Sequence, residues 1–135
     1  EPRALTVTSH QMPLWPGTGC AEEQGEFDNV LNLPLAPNSD GALMRKVYTE
    51  RVFPKVRSFN PDLIFLSAGF DAHVDDPLAE LNWEVDDFVW ITSEVCNLAR
   101  DCCSSRVVSI LEGGYNLDAL AACSRAHIEN LIEAK

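Results

Sequence analysis

Two short and almost continuously apolar runs constrain most strongly how this chain can fold. They are "DLIFLSA" (residues 62–68) and "RVVSILE" (residues 106–112). A strand with one face in water alternates apolar and polar residues, whereas a continuous run is typical of a strand buried on both faces of a parallel sheet. Two further strand signals, "ALTVTS" (4–9) and "NVLNLPL" (29–35), come earlier. The sequence therefore predicts four strands, of which at least the last two lie in a parallel sheet.

Helical periodicity fills most of the intervals between these runs. Apolar side chains recur at helical spacing from residue 39 to about 59, from 85 to 103, and from 117 to about 134. Pro54 is expected to bend or restart the first helix, and Asn116 to cap the third. The expected buried stripe of the third helix is Leu120, Ala121, Ser124, Ile128, Leu131 and Ile132. The order strand, loop, strand, helix, strand, helix, strand, helix predicts an α/β fold, a parallel sheet flanked by helices.

Three conspicuous loops fall at the carboxyl ends of the predicted strands, where parallel α/β sheets bind their ligands. They read "HQMPLWPGTG", "GFDAHVDDPL" and "GGYN". Asp71, which follows a predicted buried strand and Gly69, is suited to bind a divalent metal or, alternatively, to cap a turn. Tyr115 is placed to donate a hydrogen bond to a developing oxyanion or to cover the sheet edge. Trp15 is expected to wall a narrow slot or to pack in the core.

The other polar residues of the second loop favour supporting roles. His73 has no partner motif and reads as a surface residue or as support for a site. Asp75 and Asp76 precede Pro77, and such a turn usually caps the next element or anchors a loop. Two glycines after the last strand, Gly113 and Gly114, let the backbone pass close to another group.

Composition narrows the classes of partner. Ten basic against 21 acidic residues give a formal charge of −11, which argues against nucleic-acid binding and permits attraction of cationic ligands. Acidity also simply favours solubility. No apolar run is long enough to predict a membrane span. Five cysteines without a Cys-x-x-Cys pair indicate reduced thiols, and hence a cytoplasmic location, rather than a disulfide framework.

Three segments in this order resemble the histone deacetylase family in its broad sense, which includes acetoin-utilisation proteins and acetylpolyamine amidohydrolases. They are "TSHQMPLWPGTG", "NPDLIFLSAGFDAHVDDPLAELN" and "VVSILEGGYN", and the likeness extends over nearly all 135 residues, most closely to a bacterial class II-type member. The resemblance implies the carboxyl-terminal part of an arginase/deacetylase-type fold. It also implies zinc-dependent hydrolysis of acetyl-lysine, an acetylated polyamine or another N-acyl amine.

The resemblance implies site residues position by position. Asp71 corresponds to a zinc ligand and Tyr115 to the tyrosine that polarises the acyl carbonyl. Residues expected to contact the substrate are Trp15, Leu78, Gly113 and Gly114. Thr8 and Ser9 fall where the family binds a monovalent cation, in which case the cofactors would be zinc and potassium. His73 falls at a variable position and is left outside the metal shell.

The family's paired histidines and its other two zinc ligands have no counterpart here. The three histidines are His10, His73 and His127, and no two are adjacent. Catalytic zinc normally has three protein ligands, so residues 1–135 are expected to be a partial deacetylase domain, inactive alone. The expected partner is the missing amino-terminal half, or a second copy bound through an exposed sheet edge. The alternative is a truncated, non-catalytic module that serves in oligomerisation or binding.

Overall fold

Four strands form two parallel pairs in a computed structural model that describes residues 1–14 and 16–134. Strand β1 (Thr6–Gln11) pairs with β2 (Val30–Leu35), and β3 (Ile64–Ala68) pairs with β4 (Val107–Leu111). All four lie within two residues of their predicted positions. The predicted α/β class, parallel strands flanked by helices, is confirmed. Within the described residues the strands form two two-stranded sheets, and no ladder of hydrogen bonds joins one pair to the other. A trough lies between the pairs, where β1 and β3 line the same two cavities.

The helices follow the predicted order. They are α1 (Gly41–Val47), a π-helical turn (Tyr48–Val52), α2 (Phe53–Phe59), α3 (Val85–Cys103) and α4 (Leu117–Glu133). Pro54 lies in the first turn of α2, directly after the π-helical turn, so the predicted restart is confirmed. Asn116 caps α4, and its side-chain oxygen accepts the amide protons of Asp118 and Ala119 at 3.1 and 3.0 Å.

Two apolar clusters join the helices to one face of the strands. Beneath β1 and β2, Leu33 packs with Val52, Phe53 and Leu98. Nearer the carboxyl ends of the strands, a second cluster contains Leu35, Met44, Phe70, Leu81, Trp83, Phe88 and Cys123. Because Phe70 belongs to this core, the loop that begins with Gly69 is anchored at its base.

Helix α4 turns a different face inward from the one predicted. Its buried residues are Ala119, Cys123 and His127, whereas Ile128 and Ile132 are more than half exposed. Helical spacing alone favours the larger apolar side chains on the buried face. The close approach of α4 to α3 instead requires small residues there, and His127 forms hydrogen bonds with Thr92 of α3 and Ser109 of β4. No helix in residues 1–14 and 16–134 combines the length and apolar character that a membrane span requires.

Candidate active site

The loops after β1, β3 and β4 meet around a cavity of about 700 Å³. The backbone of each strand ends at this side, as expected for a parallel α/β fold. Four of the predicted site residues line the cavity: Thr8, Ser9, Asp71 and Gly113. Tyr115 and Leu78 are not among the described lining residues, and both are mostly exposed. Trp15 lies outside the residues that the structure describes.

Asp71 is enclosed by two glycine backbones. A Cβ atom added to Gly113 would lie 2.9 Å from the carboxyl carbon of Asp71, and one added to Gly69 would lie 2.9 Å from its Oδ1. No other residue type leaves room for the carboxylate at Gly113 without displacement. Burial raises the pKa of Asp71, a backbone hydrogen bond opposes that rise, and the charge of Asp76 adds to it. The fold therefore keeps the carboxylate of Asp71 where burial disfavours its charged form, as is typical of functional sites.

Asp76 connects the two loops that carry Asp71 and Tyr115. It is only 8% exposed, and its Oδ2 accepts the backbone N–H of Tyr115 at 2.9 Å. Its Oδ1 accepts the N–H groups of Leu78 and Ala79 at 2.9 and 3.3 Å. Sequence reasoning expected a loop anchor from the turn before Pro77, and the structure shows that Asp76 anchors a second loop as well.

Around this anchor the remaining loop residues have structural contacts. His73 is buried, and its Nδ1 accepts the backbone N–H of Asp75 at 3.1 Å. The Asp75 side chain is 69% exposed, while its carbonyl accepts a hydrogen bond from the Asn116 side chain at 3.1 Å. Gly114 has a φ of +138°, a conformation that favours glycine and lets the chain turn into Tyr115.

Strand β1 contributes hydroxyl groups to the opposite wall of the cavity. The hydroxyls of Ser9 and Tyr48 are 2.7 Å apart, and Thr8 Oγ1 lies 3.4 Å from His10 Nδ1. The other ring nitrogen of His10 lies 3.0 Å from the carbonyl oxygen of Gly19. This contact holds the loop after β1 against the strand. The monovalent-cation site at Thr8 and Ser9 stays a prediction.

His127 is a buried polar residue that sequence reasoning assigned only to the last helix. Thr92 Oγ1 lies 2.6 Å from the Phe88 carbonyl and 2.8 Å from His127 Nδ1. A carbonyl can only accept, so the single hydroxyl proton of Thr92 goes to Phe88, and Nδ1 must donate to Thr92. Nε2 then accepts the hydroxyl proton of Ser109, 2.8 Å away. The available signal in the sequence was the spacing of four between Ala119, Cys123 and His127, which places all three on one face of the helix.

A resident metal does not fit the side chains present. Within residues 1–14 and 16–134, no three His, Cys, Asp or Glu side chains come together as a metal site requires. Catalytic zinc normally has three protein ligands. Asp71 provides one suitable carboxylate, and His73 is committed to the backbone of its own loop.

Parallel strands with a carboxylate and glycine-rich loops at their carboxyl ends define an α/β protein with a ligand site in the usual place for that class. The family model of the histone deacetylase domain matches residues 1–131. The chain belongs to the histone deacetylase family, which is generally zinc-dependent.

Relatives extend the comparison and show how much of a whole protein this chain represents. An uncharacterized protein of Synechocystis is 42% identical over 121 residues, which are 90% of this chain and 38% of the relative. The histone deacetylase-like amidohydrolase of Pseudomonas aeruginosa is 34% identical over 94% of this chain and 34% of its own. The crystal structure of the HDA15 HD domain matches with a TM-score of 0.88 at 29% identity, over 96% of this chain and 37% of that chain. The chain thus spans less than two fifths of these relatives.

Proposed function

We propose that this chain supplies one part of a deacetylase active site that acts on acetyl-lysine, an acetylated polyamine or a related N-acyl amine. The observation that carries the proposal is the placement of Asp71. Its carboxylate lines a cavity at the carboxyl edge, and the loop of Tyr115 is bonded to the Asp71 loop through Asp76. These are the two positions at which the family resemblance implies a zinc ligand and a carbonyl-polarising tyrosine.

Each residue has a definite task in this proposal. Asp71 would be one ligand of the family's zinc, and a further polypeptide segment would supply the remaining ligands, since no group of three ligating side chains occurs among the residues that the structure describes. The Tyr115 hydroxyl would donate a hydrogen bond to the acyl oxygen after its loop moves over the cavity. The surplus of acidic residues would attract the cationic amine end of the substrate. Hydrolysis is assigned to the completed site and not to the 135 residues alone.

Contacts to the substrate and to a second cation complete the proposal. The backbone at Gly113 and Gly114 would pass beside the acyl group, and Leu78 and Trp15 would line the entrance. Leu78 is 63% exposed, as an entrance residue requires. Thr8 and Ser9 would hold a potassium ion through their oxygens on the other wall of the cavity.

Reconstitution tests the proposal. The chain is mixed with the separately expressed part of the Synechocystis relative that lies outside the match, and bound zinc and acetate release from an acetyl-lysine peptide and an acetylated polyamine are measured. We expect the mixture to be active and the chain alone to be inactive and without stoichiometric zinc. Asp71→Ala should abolish zinc retention. Tyr115→Phe should retain zinc and lower turnover by roughly a hundredfold.

A matched control separates the site from the surrounding charge. Asp75→Ala removes a neighbouring carboxylate whose side chain is exposed, and it should change neither zinc content nor turnover. If Asp71→Ala still held zinc at full occupancy, the ligand assignment would be wrong.

A non-catalytic role in oligomerisation or binding is the second candidate. It is favoured by the exposed outer face of β3 and β4, where Phe65, Val108 and Ile110 are 65%, 42% and 49% exposed. Sedimentation of the chain alone tests self-association. A monodisperse species of 14.9 kDa would count against it.

A further inference from the structure

Gln11 is the last residue of β1 and forms two hydrogen bonds with one residue that lies far away in the sequence. Its Oε1 accepts the backbone N–H of Glu80 at 2.7 Å, and its Nε2 donates to Glu80 Oε2 at 3.1 Å. Gln11 is only 6% exposed. A buried amide side chain is costly unless its polar atoms are paired, so the place of Gln11 in the fold depends on Glu80, 69 positions further along the chain.

The segment 77–80 has few other polar contacts with its surroundings. Among residues 1–14 and 16–134, the two bonds of Gln11 are the only hydrogen bonds between β1 and this segment. The carbonyl of Glu80 accepts the N–H of Asn38 at 2.7 Å, which joins the segment to the loop before α1. Gln11 is therefore the polar contact that holds the segment against the strand.

The other end of the segment is held by Asp76. Its Oδ1 accepts the N–H groups of Leu78 and Ala79, and its Oδ2 accepts that of Tyr115. Hydrogen bonds thus run from the Tyr115 loop through the segment 77–80 to Gln11 on β1. Leu78 lies between the two anchors.

The two anchors border the cavity that contains Asp71. Gln11 and Ala79 both line this cavity of about 700 Å³. Leu78 is 63% exposed, so a large apolar side chain is presented to solvent from a backbone that is fixed on both sides. A wall that is already ordered before binding loses less conformational entropy when a ligand packs against it.

We propose that Gln11 is a positioning residue for the substrate entrance, which holds the Leu78 segment against β1 so that this wall is formed before the substrate binds. The inference rests on the proposed function, in which Leu78 lines the entrance. The amide atoms of Gln11 are bonded to Glu80, so Gln11 acts through the loop and not on the acyl group. Its loss should therefore weaken substrate binding and leave the chemical step nearly unchanged.

Attraction by the exposed Glu80 carboxylate is the competing explanation, because a carboxylate near the entrance draws a cationic amine without any contact from Gln11. The two explanations give opposite signs for Gln11→Glu. An added carboxylate would strengthen binding of a cationic peptide if charge alone decided the affinity. If the hydrogen bonds decide it, the same substitution weakens binding, because two carboxylates repel each other and the bond donated by Nε2 is lost.

Amide hydrogen exchange of the ¹⁵N-labelled chain alone tests the contact without reference to catalysis. In Gln11→Leu, the amide of Glu80 should exchange at least about tenfold faster, because its acceptor is removed. Gln24→Leu is the matched control, since Gln24 is the chain's other glutamine and is exposed, and it should leave that amide unchanged. Circular dichroism checks that each variant is folded. If Gln11→Leu is not folded, Gln11→Asn takes its place, since the shorter amide does not reach Glu80.

Binding and turnover are then measured on the chain mixed with the part of the Synechocystis relative that lies outside the match. A fluorescein-labelled acetyl-lysine peptide is titrated at neutral pH and followed by anisotropy, and acetate release gives kcat and KM. Gln11→Leu and Gln11→Glu should each weaken binding and raise KM by about tenfold, with kcat changed by less than about twofold.

A reversed pair tests whether the hydrogen bonds are responsible. Combining Gln11→Glu with Glu80→Gln exchanges donor and acceptor between the two positions and leaves the net charge unchanged. A carboxylate at position 11 still accepts the backbone N–H of residue 80. The double variant should therefore recover the affinity of the unaltered chain to within about twofold.

Three results would overturn the inference. The first is unchanged exchange of the Glu80 amide in a folded Gln11 variant that removes the contact. The second is tighter binding by Gln11→Glu, or no recovery in the double variant, which would assign the effect to charge. The third is a fall in kcat at unchanged affinity. A mixture that binds the peptide but releases no acetate would refute the proposed hydrolysis, and the affinities would still decide this inference. A mixture that does not bind the peptide would refute both.

Discussion

Thr92 offers the sharpest test of how the helices are joined. It is 1% exposed on α3, and its hydroxyl donates to the Phe88 carbonyl and accepts from His127 Nδ1. Thr92→Val keeps the shape of the side chain and removes the hydroxyl. The substitution therefore isolates the polar link between α3 and α4 from the packing around it.

The structure sets the expected magnitude. The Phe88 carbonyl keeps its place in the helix, so the loss of its contact with Thr92 costs little. His127 Nδ1 is left with a buried N–H and no acceptor, which costs about 1–3 kcal/mol. Transfer of the proton to Nε2 would let His127 donate to Ser109 instead, but a buried lone pair would then remain unpaired. We expect the free energy of unfolding to fall by about 2 kcal/mol.

Urea unfolding followed by circular dichroism measures this change. Thr49→Val is the matched control, since Thr49 is an exposed helical threonine, and it should change stability by less than about 0.5 kcal/mol. If Thr92→Val lowered the free energy of unfolding no more than Thr49→Val does, the chain of hydrogen bonds from Phe88 to Ser109 would not exist in solution.

Three further predictions concern protonation, thiol reactivity and the loop anchor. Burial lowers the pKa of His127 below its ordinary value of 6.5; the unfolded chain therefore takes up the proton first, and the free energy of unfolding should fall as the pH drops from about 7 to about 5. His127→Gln should flatten that slope in urea titrations at several pH values; an unchanged slope would assign it to other groups. Burial raises the pKa of the Cys123 thiol to about 11, so mass mapping after treatment with a thiol reagent should find exposed Cys20 modified first and Cys123 only after unfolding. Equal rates would contradict the packing of α4. Asp76→Ala leaves three backbone N–H groups without their acceptor, and limited proteolysis should then cut near Tyr115 faster; an unchanged pattern would mean that the two loops are held by other contacts.

The parts of the fold that sequence predicted well are those set by local patterns. Helix α3 occupies Val85–Cys103 as predicted, because its apolar stripe is regular and Glu84 and Asp87 form a capping box at its start. Asp71 was predicted at the carboxyl end of β3 because a strand fixes the position of the residues that directly follow it. The anchoring role of Asp76 was open to prediction because an Asp before Pro77 is a strong turn signal.

The features that sequence did not predict depend on distant neighbours. Helical spacing indicates which apolar residues of α4 share a face. It does not indicate that small Cys123 and polar His127 face inward while Ile128 stays exposed. The trough is invisible in the sequence for a similar reason. A strand run shows that a segment is extended, whereas the strand that lies beside it is decided by the rest of the sheet.

The bond between Asp76 and the N–H of Tyr115 also has a consequence for folding kinetics. The two residues are 39 positions apart in the chain, and all of α3 and β4 lies between them. Closing so long a loop costs entropy that only the docking of α3 and the pairing of β4 can offset. We therefore expect the loop of Tyr115 to be among the last parts to become ordered during folding. By the same reasoning, we expect it to be among the first to open in the native state, so that local mobility near the cavity would arise from the order in which the chain assembles.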